Sequence, residues 1–138
     1  RRGARQYSRN EEGPVGDELT GSLEAFRHVR EKMNAAVLAS DNLTIKRFFA
    51  LDTRAYEDGA LPARTKELLG LVASLVLRCD DCITYHLVRC REEGVSDAEM
   101  FDAASVALIV GGSIVIPHLR RAVAQLEELP PAAPPASS

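Results

Sequence analysis

The stretch that decides the fold runs from Pro62 to Gly94, PARTKELLGLVASLVLRCDDCITYHLVRCREEG. In its first half, Leu68, Leu69, Leu71, Val72, Leu75, Val76 and Leu77 recur at helical spacing around a whole axis, and Pro62 suits a first helical turn. Such a helix is expected to be buried on most sides. The second half, Cys79 to Glu93, reads as another helix stopped by Gly94. Downstream, Ser96-Asp-Ala-Glu99 has the form of a capping box that starts a fifth helix, which should weaken at Gly111-Gly112. Pro117 then fits the first turn of a sixth helix ending at Leu129. Its apolar positions Val115, Leu119, Ala122, Leu126 and Leu129 step by 4, 3, 4 and 3, a seam expected to pack along another helix, a second subunit being one candidate. Upstream, Leu19, Leu23, Phe26, Met33 and Val37 mark a first helix with Arg30 as its polar intruder. Asp41 or Asn42 caps a second helix with Ile45, Phe48, Phe49 and Tyr56, for which Gly59 is the expected C-cap. No run alternates with period two for long enough to make a strand, so the fold class is all-α, with about six helices.

The chain has 138 residues, enough for one compact domain and too few for two ordinary ones. Seventeen Lys and Arg against twenty Asp and Glu give a net charge of −3, without the basic excess that nucleic-acid binding needs. Aromatics are 5% with no Trp, which leaves few stacking platforms. The apolar runs fall far short of the roughly 20 residues of a membrane helix. Residues 1–17 read as a disordered or loosely attached leader, 130–138 as a disordered Pro/Ala/Ser tail, and 18–129 as the helical domain. Three cysteines, two of them in one Cys-x-x-Cys, do not look like a secreted disulfide framework; a reducing, cytoplasmic setting is expected.

The chemistry is concentrated in Cys79-Asp-Asp-Cys82-Ile-Thr-Tyr-His86. At a helix start, unpaired N–H groups and the positive end of the helix dipole stabilise a thiolate, the reactive form of cysteine. His86, four residues beyond Cys82, lies on the same face and can serve as its base. Asp80 and Asp81 oppose thiolate formation by like charge, although carboxylates are also good first-turn residues. The spacing Cys79, Cys82, His86, Cys90 superficially resembles a zinc knuckle. In a helix, however, Cys82 and Cys90 stand roughly 12 Å apart, whereas ligands of one zinc lie within about 4 Å of each other. Cys90 reads as a buried small hydrophobe, His28 and His118 as surface or packing residues without an acidic neighbour at useful spacing, Tyr85 as packing, and Arg120-Arg121 as a solvated face. Glu67 is a first- or second-turn carboxylate. In a simple helical hairpin it would sit about 18 Å before the turn and His86 about 10 Å after it, so direct contact needs a tilt, a water or a bend.

Glu67, then Cys79 twelve residues later, Cys82 and His86, with Gly94 and Gly111-Gly112 beyond, resembles the E-x11-C-x2-C-x3-H pattern of AhpD-like alkylhydroperoxidases in the carboxymuconolactone decarboxylase superfamily. The resemblance covers about residues 40–128. It implies an AhpD-like helical bundle that assembles as a homotrimer or homohexamer and reduces hydroperoxides without a metal or organic cofactor. It further implies Cys82 as the attacking thiol, Cys79 as the resolving one, Glu67 and His86 as the proton relay, and a thioredoxin-like or lipoyl-bearing dithiol protein as reductant. One departure is Asp81, which stands where the best-known peroxidase members carry a second histidine. Two other functions fit less of the pattern: a lyase or hydrolase acting on a small carboxylated lactone through Glu67 and His86, and a noncatalytic redox-sensing oligomer.

Overall fold

The computed structural model describes residues 22–133. The leader, the position of Leu19 and the last five residues of the tail lie outside them. Six α-helices follow one another: α1 (Ser22–Leu38), α2 (Leu43–Ala55), α3 (Ala63–Leu77), α4 (Asp80–Glu92), α5 (Asp97–Gly111) and α6 (Ile116–Glu128). A 3-10 turn, Ser113–Val115, joins the last two, and there is no strand among the described residues.

The helix boundaries follow local chemistry. Asn42 caps α2 by accepting from the Ile45 backbone N–H, and Ser96 and Glu99 form the reciprocal capping box of α5. Gly94 and Gly112 take φ of +76° and +78°, the left-handed region where a Cβ would be strained, and each closes a helix. Gly59 does not act as the C-cap of α2: that helix ends at Ala55, and Tyr56 is its cap. Pro62 occupies the N-cap of α3, just outside the first turn.

The hub is α3, which packs against α5 on one side and α4 on the other, while α6 closes over α4. Leu71, Leu75, Ile83, Leu87, Met100 and Ala104 form the centre of the core. Each fully buried leucine contributes about 1.5–3 kcal/mol of transfer free energy. Two expectations change at this level. α3 is not buried all round, since Leu69 is 54% and Leu77 75% exposed. The seam of α6 is buried on its own chain: Val115, Ala122, Leu126 and Leu129 belong to the core cluster, with Leu119 packed against it. The α1 and α2 helices add only Leu23 to this core. Of α1's apolar residues Leu23 is buried, whereas Met33 and Val37 are exposed, and α2 buries nothing.

An ion pair ties the start of α3 to the start of α5. Arg64 donates to both carboxylate oxygens of Glu99 at 2.6 Å, and Glu99 also accepts from the Ser96 backbone N–H at 2.9 Å. The Arg64 hydrogen bond, helped by those from Ser96, lowers the Glu99 carboxyl from an ordinary 4.5 to about 2. Because the unfolded chain binds this proton at the higher pH, the contribution is complete above about 4.5 and is lost as pH falls towards 2. Glu99→Gln should therefore flatten the acid limb of stability in urea titrations between these pH values. An unaltered slope would show that the pair does not form in solution.

Candidate active site

The turn between α3 and α4 sets the dithiol in place. Arg78 adopts a left-handed conformation (φ 59°, ψ 40°), its N–H reaching Leu75 O and Ser74 O, and Cys79 N–H returns to Ser74 O. The chain thereby reverses within two residues and delivers Cys79 as the N-cap of α4, with its sulfur accepting the Cys82 backbone N–H at 3.3 Å. Cys79 and Cys82 are joined as a disulfide with Cα atoms 5.2 Å apart, and Cys82 is exposed. The sulfurs thus lie at the positive end of α4, the setting that favours a thiolate on reduction.

The two acidic neighbours of the dithiol have separate fates. Asp80 is engaged from α6, by His118 Nδ1 at 2.7 Å and by an Arg121 guanidinium N–H at 3.2 Å. His118 is therefore not without an acidic neighbour, as its local spacing suggested, and Arg121, on the exposed face expected of it, shares that partner; Asp80 lies 38 and 41 positions away from them. Asp81 instead lines a cavity together with Cys82.

Glu67 and His86 meet directly. Glu67 Oε2 lies 2.8 Å from His86 Nδ1, and the two residues are 1% and 7% exposed. The residue of α3 level with His86 is Gly70: each lies about seven residues, roughly 10 Å, from the turn. Glu67 is one helical turn further along α3, a gap its three-torsion side chain spans, so neither water nor a bent helix is needed. A Cβ on Gly70 would stand 2.7 Å from both ring nitrogens of His86, so the glycine makes the space in which the imidazole lies. A buried carboxylate needs compensation. Glu67 receives it from His86 and from Arg89 Nε, 3.4 Å from Oε1, and Arg89 is itself braced by Glu92 and Glu93.

With Nδ1–H donated to the carboxylate, Nε2 is left as an acceptor facing outward. Its partner is the Tyr56 hydroxyl at 3.4 Å. The imidazole is enclosed by two tyrosines, with ring centroids 5.3 Å away for Tyr56 and 5.2 Å for Tyr85. Beyond them opens a cavity of about 750 Å³, walled by α1 through Phe26, Val29, Arg30 and Met33, by α2 through Asp52 and Tyr56, and by α4 through Asp81, Cys82, Tyr85 and His86. Arg30, the intruder in the apolar pattern of α1, stacks 4.1 Å over the Tyr85 ring.

Cys90 is a free thiol in the core, with its pKa pushed up to about 12 by burial and then by the Glu67 charge. A thiol so placed is inert at neutral pH. Among the described residues no cluster of three or more His, Cys, Asp or Glu could hold a metal ion, and no helix is long and apolar enough to cross a membrane. Of the four residues singled out from the sequence, the structure pairs Glu67 with His86 and Cys79 with Cys82; Gly70, Tyr56, Arg89 and Arg30 were given no role beside them, although Arg30 interrupted an apolar pattern and Arg89 lies one turn beyond His86.

An all-helical chain with a helix-capping dithiol beside a buried carboxylate–imidazole pair defines the class. Residues 43–125 match the carboxymuconolactone decarboxylase family, and the chain belongs to it. A carboxymuconolactone decarboxylase family protein from Thermotoga maritima is 60% identical, with a TM-score of 0.72 over 75% of this chain and 88% of that one. "Uncharacterized protein 4 in cox locus" of Paracoccus denitrificans is 33% identical over 59% of this chain and 74% of its own length. A family member from Legionella pneumophila shares the fold at 21% identity and a TM-score of 0.59, covering 84% of this chain and 97% of that one.

Gly70→Ala isolates the packing of the imidazole. In an open helix this change stabilises by about 1 kcal/mol; against the His86 ring, overpacking should reverse the sign, to a loss of about 1–3 kcal/mol. Thermal unfolding together with the His86 ring resonances checks this, and a more stable variant with unshifted resonances would contradict the close approach.

Proposed function

We propose that the protein is a thiol-dependent peroxidase that reduces hydroperoxides through a Cys79/Cys82 dithiol–disulfide cycle. The observation that carries the reading is that Cys82, of the disulfide at the start of α4, and His86, which the buried Glu67 holds, line one cavity. A role in the antioxidative response has been suggested for the Thermotoga maritima relative, which supports the same reading.

In this mechanism the Cys82 thiolate attacks the terminal oxygen of ROOH. An S–O bond forms, the O–O bond breaks, and RO⁻ leaves with the proton that the thiol gave to His86, yielding Cys82–SOH and ROH. Cys79 then attacks the sulfenic sulfur; the S–S bond forms, the S–O bond breaks, and hydroxide leaves as water with the Cys79 proton. Glu67 holds the imidazole in orientation and balances its charge when Nε2 is protonated. A cytoplasmic dithiol protein, thioredoxin-like or lipoyl-bearing, returns the two electrons by thiol–disulfide exchange. Cys90 takes no part.

Rapid mixing of the reduced protein with one hydroperoxide tests the roles. Cys82→Ser should consume none, Cys79→Ser about one equivalent per chain before stalling as the sulfenic acid, and Glu67→Gln should slow the first turnover by about 10²-fold. Alkylation mapping should find Cys90 free after oxidation. First turnover surviving in Cys82→Ser and lost in Cys79→Ser would reverse the assignment. Full activity on a lactone by the doubly substituted dithiol variant would instead favour the lyase or hydrolase function.

The peroxidase works as a homotrimer or homohexamer. Ile109 is 88%, Leu77 75%, Phe48 68% and Val110 67% exposed, more large apolar surface than an isolated chain of this size ordinarily shows to water. Light scattering at micromolar concentration should report an oligomer; a stable monomer would overturn this assignment.

A further inference from the structure

His86 Nε2 has a hydroxyl, not a sulfur, as its partner. Tyr56 O–H lies 3.4 Å from it, long for a hydrogen bond but within the range of acid–base contacts that tighten when substrate binds. The phenol comes from the end of α2, 30 residues before His86 in sequence, and lines the same cavity as Cys82. No residue of α2 is buried; Tyr56, at its end, is half-buried as Ile45 and Phe49 are, and it sets its ring against the imidazole. Burial, followed by the Glu67 charge, raises the phenol's pKa, so it keeps its proton at neutral pH and remains a donor.

We infer that Tyr56 is a further proton carrier of this site, a hydroxyl bridge between His86 Nε2 and the reacting groups in the cavity; the inference rests on the peroxidase reading above. As Cys82 ionises, its thiol proton passes to the phenol oxygen while the phenol proton passes to Nε2, leaving a thiolate and an imidazolium held by Glu67. As the O–O bond of ROOH breaks, the phenol proton passes to RO⁻ and the Nε2 proton returns to the phenol oxygen. The sum is Cys82–SH plus ROOH giving Cys82–SOH plus ROH, with the hydroperoxide as the only oxidant. The charged and titratable groups around the bridge are Glu67 on α3, Arg89, Tyr85 and Asp81 on α4, Asp52 on α2 and Arg30 on α1. None of them is hydrogen-bonded to the Tyr56 hydroxyl.

Tyr56→Phe keeps the ring and removes the bridge. Two measurements on the reduced, full-length variant decide the matter: the first-turnover rate with tert-butyl hydroperoxide, and the pH profile of Cys82 alkylation by iodoacetamide, read on the Cys82 peptide. The first should fall by about 10²-fold. The second should move to higher pH, with alkylation at neutral pH falling about 3- to 10-fold as the thiolate loses its connection to the imidazolium. A ring with a purely structural role would move neither. If the wild-type protein turns over peroxide and the variant matches it in both measurements, the bridge is refuted while the peroxidase stands. If the wild-type protein consumes no peroxide, the peroxidase reading fails, and the alkylation profile alone upholds or refutes the bridge.

Discussion

A carboxylate buried to 1% exposure cannot stand unpaired, and the arrangement of this molecule around Glu67 follows from that requirement. Its two oxygens are met by an imidazole from one helical face and a guanidinium from the next turn of the same helix. Removing His86 leaves charge in a low-dielectric interior, which costs several kcal/mol for a fully buried pair, whereas Arg89, a third exposed, contributes less. The pairing fixes more than stability. It sets which imidazole nitrogen carries the proton, and so which one is offered to the cavity where Cys82 lies.

The scaffold supports that pairing through the α3–α4 hairpin. Arg78 in a left-handed conformation reverses the chain within two residues, so the sulfurs cap one end of α4 while His86, near its middle, lies level with the one residue of α3 that has no side chain. The hairpin packs against α5 and α6, and Asp80 is held from α6 by His118 and Arg121. The α1 and α2 helices bury little, and their contribution is to wall the cavity and to bring Tyr56 to the imidazole. The second half of the chain thus supplies the framework and one wall of the cavity through α4, and the first half supplies the facing wall.

The helices were legible because their spacing and caps are local: the Ser96–Glu99 box, the Gly112 break and Pro117 all act within a turn or two of sequence. The dithiol and His86 were legible for the same reason. Glu67 was marked by resemblance, not by periodicity, and its direct contact with His86 depends on Gly70, whose importance appears only when a second helix crosses it. Tyr56, His118 and Arg121 find partners 30 to 41 residues away, and no local pattern encodes such pairings. The α6 seam was correctly apolar but its partner was not encoded, since a 4-3 stripe packs equally well on its own chain or on another.

The tautomer of the His86 imidazole is the most direct test of whether the buried Glu67 carboxylate governs the site. If it does, nitrogen-15 spectra of the neutral His86 ring in the oxidised, disulfide-bonded protein show the proton on Nδ1 and an unprotonated Nε2, and that preference weakens in Glu67→Gln. A His86 that carries its proton on Nε2, or whose tautomer is indifferent to the loss of the Glu67 charge, would contradict it.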